Sequence, residues 1–382
     1  MSKPKMNDLR RGAAHTIAEI AQQPSVWRQV SGRVEALSDF VAPLLDDPRL
    51  RVILTGAGTS AFAGQVVAPG LRRGVRRRIE AVATTDIVAN PVEYLGEDVP
   101  TLLVSFARSG DSPESVAAAE LADQLLSDVH HLVLTCNSGG QLAQRYGRHG
   151  SARVLLMPEA ADDQGFAMTS SFTGMTLAGL LALDPAADGD LGERLAAIAE
   201  TVLPQWEAGA HELVDRGYER LIYLGSGALK GAARESALKV IELTAGRTVA
   251  LGDSPLAFRH GPKSVLNESA LVVVYLSNDP YTRAYDVDLL EELRRSQGAE
   301  HVVAVSADHG DHGDRGGAGP SWVLPAAADL PDAALAIPAV LCAQLLALYS
   351  SMALGLNADN PFPSGEVNRV VQGVRIHPFS SV

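Results

Sequence analysis

Tyr223-Leu224-Gly225-Ser226-Gly227 closes an apolar run with a glycine turn, and Gly56-Ala57-Gly58-Thr59-Ser60 closes a similar run, Arg51–Thr55, one period earlier. Gly56 and Gly225 stand 169 positions apart, and Ser105 and Leu276 stand 171 apart. Around the first turn the order is strand, turn, a helix from Ala61, an apolar strand at 101–105, the turn 106–112 and a strand at 131–135. Around the second it is a strand at 220–224, the glycine turn, a helix through Ala245, a strand at 270–276, the turn Ser277-Asn278-Asp279-Pro280 and a strand at 301–305. Two turns repeating at nearly one spacing indicate a duplicated βα unit. Apolar runs alternating with amphipathic helices predict an α/β fold with parallel sheets flanked by helices. Ligands of such folds gather at the carboxyl ends of strands, where these turns lie.

The chain has 382 residues, 46% hydrophobic and 20% charged, enough for two globular domains. Its formal net charge of −13 excludes a general nucleic-acid binder. The basic run Arg72, Arg73, Arg76, Arg77, Arg78 is expected to be a solvated helix end. Cys136 and Cys342 sit in apolar contexts with no CxxC spacing, which fits a reducing compartment and excludes a cysteine metal site. Met1 to Gln23 is polar and helical in pattern, without a signal-peptide core. The most apolar segment, 333–356, contains Pro338 and Gln344 and is expected to be a buried helix and not a membrane span. The expected location is cytoplasmic. Domain boundaries are expected at 1–45 for an N-terminal helical segment, 46–185 and 216–356 for the two copies, 186–215 for a connecting helix, and 357–382 for a tail.

The segment Ala107-Arg108-Ser109-Gly110-Asp111-Ser112-Pro113-Glu114 predicts a helix start, with Ser112 at the N-cap and Pro113 at the first helical position. Unpaired N–H groups there, with the Ser109 and Ser112 hydroxyls and the Arg108 guanidinium, can hold a phosphate. An ordinary capped helix would look the same, but Gly58-Thr59-Ser60 offers two more hydroxyls at the neighbouring strand tip. Gly56-x-Gly58-x-x-Ala61, with Glu80 downstream, also matches a dinucleotide fingerprint. Thr59 and Ser60 are wrong for a pyrophosphate loop, and the second copy breaks the spacing with Gly225, Gly227 and Gly231, so no dinucleotide is expected. Asp308, His309, Asp311, His312 and Asp314 lie in a glycine-rich loop too slack for a metal, and neither metal nor cofactor is expected.

Glu235, Lys239 and Glu242 follow the second glycine turn. At about 100° per residue, Lys239 lies about 40° one way from Glu235 and Glu242 about 20° the other, so the three share one helix face. That face can be a solvated ion-pair stripe or an acid–base site. His260, in the turn-like Arg259-His260-Gly261-Pro262, adds an imidazole able to move a proton near neutral pH. The inventory suits proton shuffling on a phosphorylated sugar.

Together these residues resemble the sugar isomerase (SIS) superfamily over nearly the whole chain, including Glu19-Ile20-Ala21-Gln22-Gln23-Pro24. The carboxylate helix and His260-Gly261-Pro262 resemble the isomerase half of glucosamine-6-phosphate synthase. Phe166-Ala167-Met168-Thr169-Ser170-Ser171-Phe172, Asp359-Asn360-Pro361-Phe362-Pro363 and Asn368-Arg369-Val370-Val371-Gln372-Gly373 resemble the tagatose-6-phosphate ketose/aldose isomerase family, also described as galactosamine-6-phosphate deaminase/isomerase. The resemblance implies two tandem SIS domains, each a flavodoxin-like three-layer sandwich, in a homo-oligomer, dimer or dimer of dimers. It implies that Glu242 moves a proton between C1 and C2, and that His260, from the neighbouring subunit, assists ring opening. Glu235 and Lys239 complete that site. Gly58, Thr59, Ser60, Arg108, Ser109, Gly110, Ser112 and Thr169 are the substrate-binding candidates. Ala107 departs from the synthase, where a serine stands, and the synthase's C-terminal lysine has no clear counterpart beyond Arg369. The implied substrate is a phosphorylated hexosamine or hexose. Galactosamine 6-phosphate, giving tagatose 6-phosphate and ammonia, is expected first, since no glutaminase segment precedes the first copy. Simple aldose–ketose isomerisation, glucosamine-6-phosphate deamination and a non-catalytic sugar-phosphate sensor are the alternatives.

Overall fold

Among the described residues, ten strands form two five-stranded parallel sheets. In a computed structural model, residues 10–72, 78–184, 188–308, 319–371 and 373–380 are described. The strands are β1 (Arg51–Thr55), β2 (Arg78–Ala81), β3 (Thr101–Phe106), β4 (Val129–Thr135), β5 (Ala152–Leu156), β6 (Arg220–Gly225), β7 (Val249–Asp253), β8 (Ala270–Tyr275), β9 (Val302–Ala307) and β10 (Ser321–Leu324). Their orders are β2-β1-β3-β4-β5 and β10-β9-β8-β6-β7. Read from the opposite edge, the second repeats the first, and both are the flavodoxin-like order. The register repeats too: Arg51 pairs with Thr101 and Arg78, and Arg220 pairs with Ala270 and Val249. The duplicated unit expected from the glycine turns is present.

The central strands β1, β3, β8 and β9 are buried along their whole length, which is why they appear as unbroken apolar runs. The edge strands β2, β5, β7 and β10 were not anticipated. Each is four or five residues long with partly exposed positions, so any apolar run in it is at most about three residues. Arg78 opens β2 and is no helix end, while Arg73, Arg76 and Arg77 lie outside the described residues. So do His309, Asp311, His312 and Asp314, together with Gln372. Among the described residues no cluster of three or more His, Cys, Asp or Glu could hold a metal ion.

The helices used below are α1 (Ala14–Val34), α2 (Thr59–Arg72), α3 (Pro113–Leu125), α4 (Ser170–Leu183), α5 (Leu191–Val214), α6 (Ala228–Leu243), α7 (Pro280–Gln297), α8 (Asp332–Ala339) and α9 (Leu341–Ala353). The apolar segment expected as one helix is two, α8 and α9, broken at Val340 after Pro338, whose ring nitrogen cannot donate to the helix ladder. The stretch Asp332–Ala353 is long and apolar enough to cross a membrane, yet its apolar window is wholly buried in the protein.

Two compact units are each discontinuous in sequence. One comprises Met1–Pro24, Asp163–Thr169 and Glu193–Pro363; the other comprises Ser25–Asp162, Ser170–Gly192 and Ser364–Val382. In the second of these, Ile53, Leu103, Val133 and Leu121 form the core under β1, β3, β4 and α3, and Phe379 of the tail packs against it. In the first, Ile222, Val272, Val274, Leu289 and Leu293 do the same under β6, β8 and α7.

Candidate active site

The helix α6 carries the acid–base candidates. It is rich in alanine (Ala228, Ala232, Ala233, Ala237), the best helix former. It stops at Leu243, two residues before the expected end. Ala245 and Gly246 take positive φ, and the Gly246 N–H returns to the Ile241 carbonyl at 2.8 Å. The predicted face exists: Lys239 Nζ lies 2.5 Å from Glu242 Oε2 and 3.3 Å from Glu235 Oε1. Lys239 and Glu235 are each 1% exposed, while Glu242 is 24% exposed, so this is no solvated stripe. Burial acts to push the Lys239 ammonium down. The neighbouring Glu235 and Glu242 carboxylates outweigh it and hold its pKa above the ordinary lysine value, so it stays charged. A fixed cation thus clamps one buried carboxylate and one that reaches solvent.

His260 sits in the turn after the short helix Pro255–Phe258, held by its N–H to the Ala257 carbonyl at 2.9 Å. Its ring is exposed and, among the described residues, makes no hydrogen bond or ion pair. The structure therefore does not join it to the α6 triad within its own chain.

The first-copy turns gather the other candidates. Gly58 has φ +54°, which lets the chain turn sharply from β1 into α2. Gly56 is needed for a different reason: a Cβ there would lie 2.6 Å from the Ser60 Cβ. Thr59 and Ser60 open α2 and are nearly buried. After β3, Gly110 has φ +67°, and the loop is held by Asn137, whose Nδ2 donates to the Ser109 carbonyl at 2.9 Å and to Asp111 at 3.3 Å. Asp111 in turn accepts the Gln141 N–H at 2.9 Å. The sequence reading missed Asn137; the signal was a polar residue just past the tip of β4. Ser112 occupies the N-cap of α3 with Pro113 following, as expected, but its hydroxyl makes no cap bond. The Ser60 and Ser112 hydroxyls have no partner among the described residues. Arg108 is 7% exposed; its Nη2 donates to the Arg369 carbonyl at 3.2 Å, and its Nη1 is buried without an acceptor. Such an unmade bond is costly, and an anion would supply the missing acceptor.

Thr169 is a correction. It is fully buried, and both its N–H and its hydroxyl donate to Asp163, at 2.9 and 3.0 Å, so it braces the chain and presents no ligand group. The stretch around it explains three of the quoted motifs. Glu19 accepts the Gly165 N–H at 3.0 Å, Asp359 accepts the Thr16 N–H and hydroxyl, each at 2.8 Å, and the Phe166 and Phe362 rings lie 5.2 Å apart. A Cβ at 165 would lie 2.8 Å from the Glu19 carboxylate, which would have to shift to admit it. Burial, then the nearby Asp163 and Asp359 carboxylates, raise the Glu19 carboxyl above its usual range.

The SIS domain family model matches residues 44–184. A Streptomyces coelicolor AgaS protein is 60% identical over 374 residues, covering 96% of each chain. The Escherichia coli D-galactosamine-6-phosphate deaminase AgaS is 46% identical, again over 96% of each. The crystal structure of the tagatose-6-phosphate ketose/aldose isomerase of Escherichia coli superposes with a TM-score of 0.85 at 41% identity, over the full length of both chains. With two copies of one sheet and this degree of likeness, the chain belongs to the SIS-domain family of AgaS deaminases and tagatose-6-phosphate ketose/aldose isomerases.

Proposed function

We propose that the protein converts D-galactosamine 6-phosphate and water into D-tagatose 6-phosphate and ammonia. The observation that carries this reading is Lys239, an ammonium at 1% exposure held 2.5 Å from the only partly exposed carboxylate of its helix face, Glu242. A buried cation between two carboxylates is an expensive way to build a surface and a good way to aim a base. The assigned roles follow. Arg108, Ser60, Ser109 and Ser112, with the Gly58, Thr59 and Gly110 turns, take the phosphate dianion. His260, supplied by a second copy of the chain, assists ring opening to the C1 aldehyde. Glu242 takes the C2 proton, leaving an enolamine, and returns it to C1, which makes a ketimine at C2. Water adds at C2, the C–N bond breaks and ammonia leaves as the ketone forms. Lys239 and Glu235 hold Glu242 in place. The reaction needs no metal or organic cofactor, and the working enzyme is a cytoplasmic homodimer or dimer of dimers.

A second reading has support in the name of the solved Escherichia coli relative: the same C2-to-C1 transfer on galactose 6-phosphate gives tagatose 6-phosphate without ammonia. One assay separates them. Ammonia and tagatose 6-phosphate are measured with galactosamine 6-phosphate, glucosamine 6-phosphate and galactose 6-phosphate in turn. Equimolar ammonia and ketose from galactosamine 6-phosphate is the expected result; ketose from galactose 6-phosphate with no ammonia from either amino sugar would replace it with the second reading.

A further inference from the structure

The second copy keeps the turn of the first and fills it differently. Gly227 has φ +56°, against +54° at Gly58, and a Cβ on Gly225 would meet Leu229 as one on Gly56 would meet Ser60. Position by position, therefore, the Ser60 hydroxyl becomes the buried Leu229 side chain. After β8 the loop again ends in an N-cap followed by proline, Asp279-Pro280, matching Ser112-Pro113. Here the cap closes, because the Asp279 carboxylate accepts the Thr282 N–H at 2.9 Å.

Two further carboxylates enter from the chain itself. Asp286, on α7 and 0% exposed, accepts the Ser226 hydroxyl at 2.5 Å and the Ser277 N–H at 3.0 Å. Asp332 accepts the Ser277 hydroxyl at 2.5 Å and the Asn278 N–H at 2.8 Å. Arg283 is the nearby cation. A turn hydroxyl and a backbone N–H at adjacent strand tips, converging on one buried negative group, are the donors a bound anion would use at a strand-tip crevice.

We propose that the tip of the second sheet is an anion cradle that the chain occupies with its own Asp286 carboxylate, which makes Asp286 a positioning residue for α6. The link is short. Ser226 immediately precedes Gly227, the N-cap of α6, and its carbonyl accepts the Leu229 N–H at 2.9 Å. Losing the carboxylate frees the turn that sets the start of the helix carrying Glu235, Lys239 and Glu242. The kinetic part of this inference rests on the proposed role of α6; the binding part does not.

The test uses the full-length protein with sodium formate as the probe. Asp286→Ala leaves a gap of one carboxylate. Its kcat for galactosamine 6-phosphate should fall roughly 10-fold, with KM within about twofold, because a displaced base slows chemistry without touching the phosphate turns. Formate should restore kcat saturably, and should raise the melting temperature of Asp286→Ala but not of the wild type. Asp286→Asn, which cannot accept both bonds, should also show lowered kcat at unchanged KM. A folded Asp286→Ala with wild-type kcat, or one indifferent to formate, overturns the proposal. Should the alanine variant fail to fold, wild-type kcat in Asp286→Asn overturns it and a lowered kcat supports it. If the wild type turns over no amino-sugar phosphate, the proposed function has failed, and the formate effect on melting decides this inference alone.

Discussion

At the tips of β1 and β3 the Ser60 and Ser112 hydroxyls and Arg108 Nη1 have no partner among the described residues; at the tips of β6 and β8 the Asp286 carboxylate accepts from the Ser226 hydroxyl and the Ser277 N–H. The two glycine turns share their backbone, down to the left-handed glycine at 58 and 227. What differs is where the acceptors come from. In the first copy Ser112 caps nothing and Arg108 Nη1 has no acceptor. In the second, Asp279, Asp286 and Asp332 supply acceptors to the cap, the glycine turn and the strand tip. A duplicated fold thus separates two jobs. On the proposed roles, one copy keeps polar groups for the phosphate, and the other uses its own carboxylates to fix the start of the helix that carries Glu242. An unmade bond on a buried group is costly, so Arg108 Nη1 is the group at the first tip that an anion would satisfy best under the proposed function.

Glu242→Gln should test the chemistry side most severely. The amide keeps the shape beside Lys239 but cannot take a proton. The kcat should fall by roughly 10²–10⁴-fold with KM little changed. Steady-state kinetics at saturating substrate measure this, and near-wild-type turnover would remove Glu242 as the base. Lys239→Met probes the same helix through stability. It leaves Glu235, at 1% exposure, as a buried carboxylate robbed of its cation, a change of about 3–5 kcal/mol. A melting temperature equal to the wild type would mean that the ion cluster holds nothing in place.

The ligand side should respond in the other parameter. Ser109→Ala removes a hydroxyl that accepts only the Asp111 N–H among the bonds it makes here, at 3.2 Å. Phosphate contacts are alike in ground and transition states, so KM should rise about 10-fold with kcat nearly unchanged. If Ser109→Ala lowered kcat and spared KM, the division of labour between the copies would be wrong.

Much of this division could be read from the residues. The paired glycine turns gave the duplication because glycine is required there by positive φ and by close approach, both local demands that leave a mark in sequence. The α6 face was legible because helical geometry alone brings Glu235, Lys239 and Glu242 together. The edge strands left little mark, since half-exposed strands of four or five residues have at most about three apolar residues in a row and no clean alternation. Thr169 was misread because its partner, Asp163, looks like any loop aspartate until the chain folds back on it. Asp286 was invisible for a related reason. It lies in the helical segment Pro280–Gln297 among Asp288, Glu291 and Glu292, where sequence shows only one more charged residue of a solvated face.

The smallest effect concerns that aspartate, and it bears on what the second copy gives up for a fixed helix. Burial, opposed by the Ser226 and Ser277 bonds and by Arg283 and reinforced by Asp332, pushes the Asp286 carboxyl from 3.8 to about 6. A carboxyl raised on folding binds its proton more tightly in the native state than in the unfolded chain. Its contribution to stability is therefore present below about pH 4 and is lost as pH rises through about 6, for a total of roughly 3 kcal/mol. Asp286→Asn does not titrate. The wild-type melting temperature minus that of Asp286→Asn should therefore drop by several degrees between pH 4 and pH 7, a difference that cancels every other titrating group common to both. Parallel melting profiles across that window would mean the carboxylate is accommodated without cost. A falling difference, together with lower kcat in the asparagine variant, would mean that the chain accepts a less stable fold at neutral pH to keep a negative charge where the first copy keeps room for one.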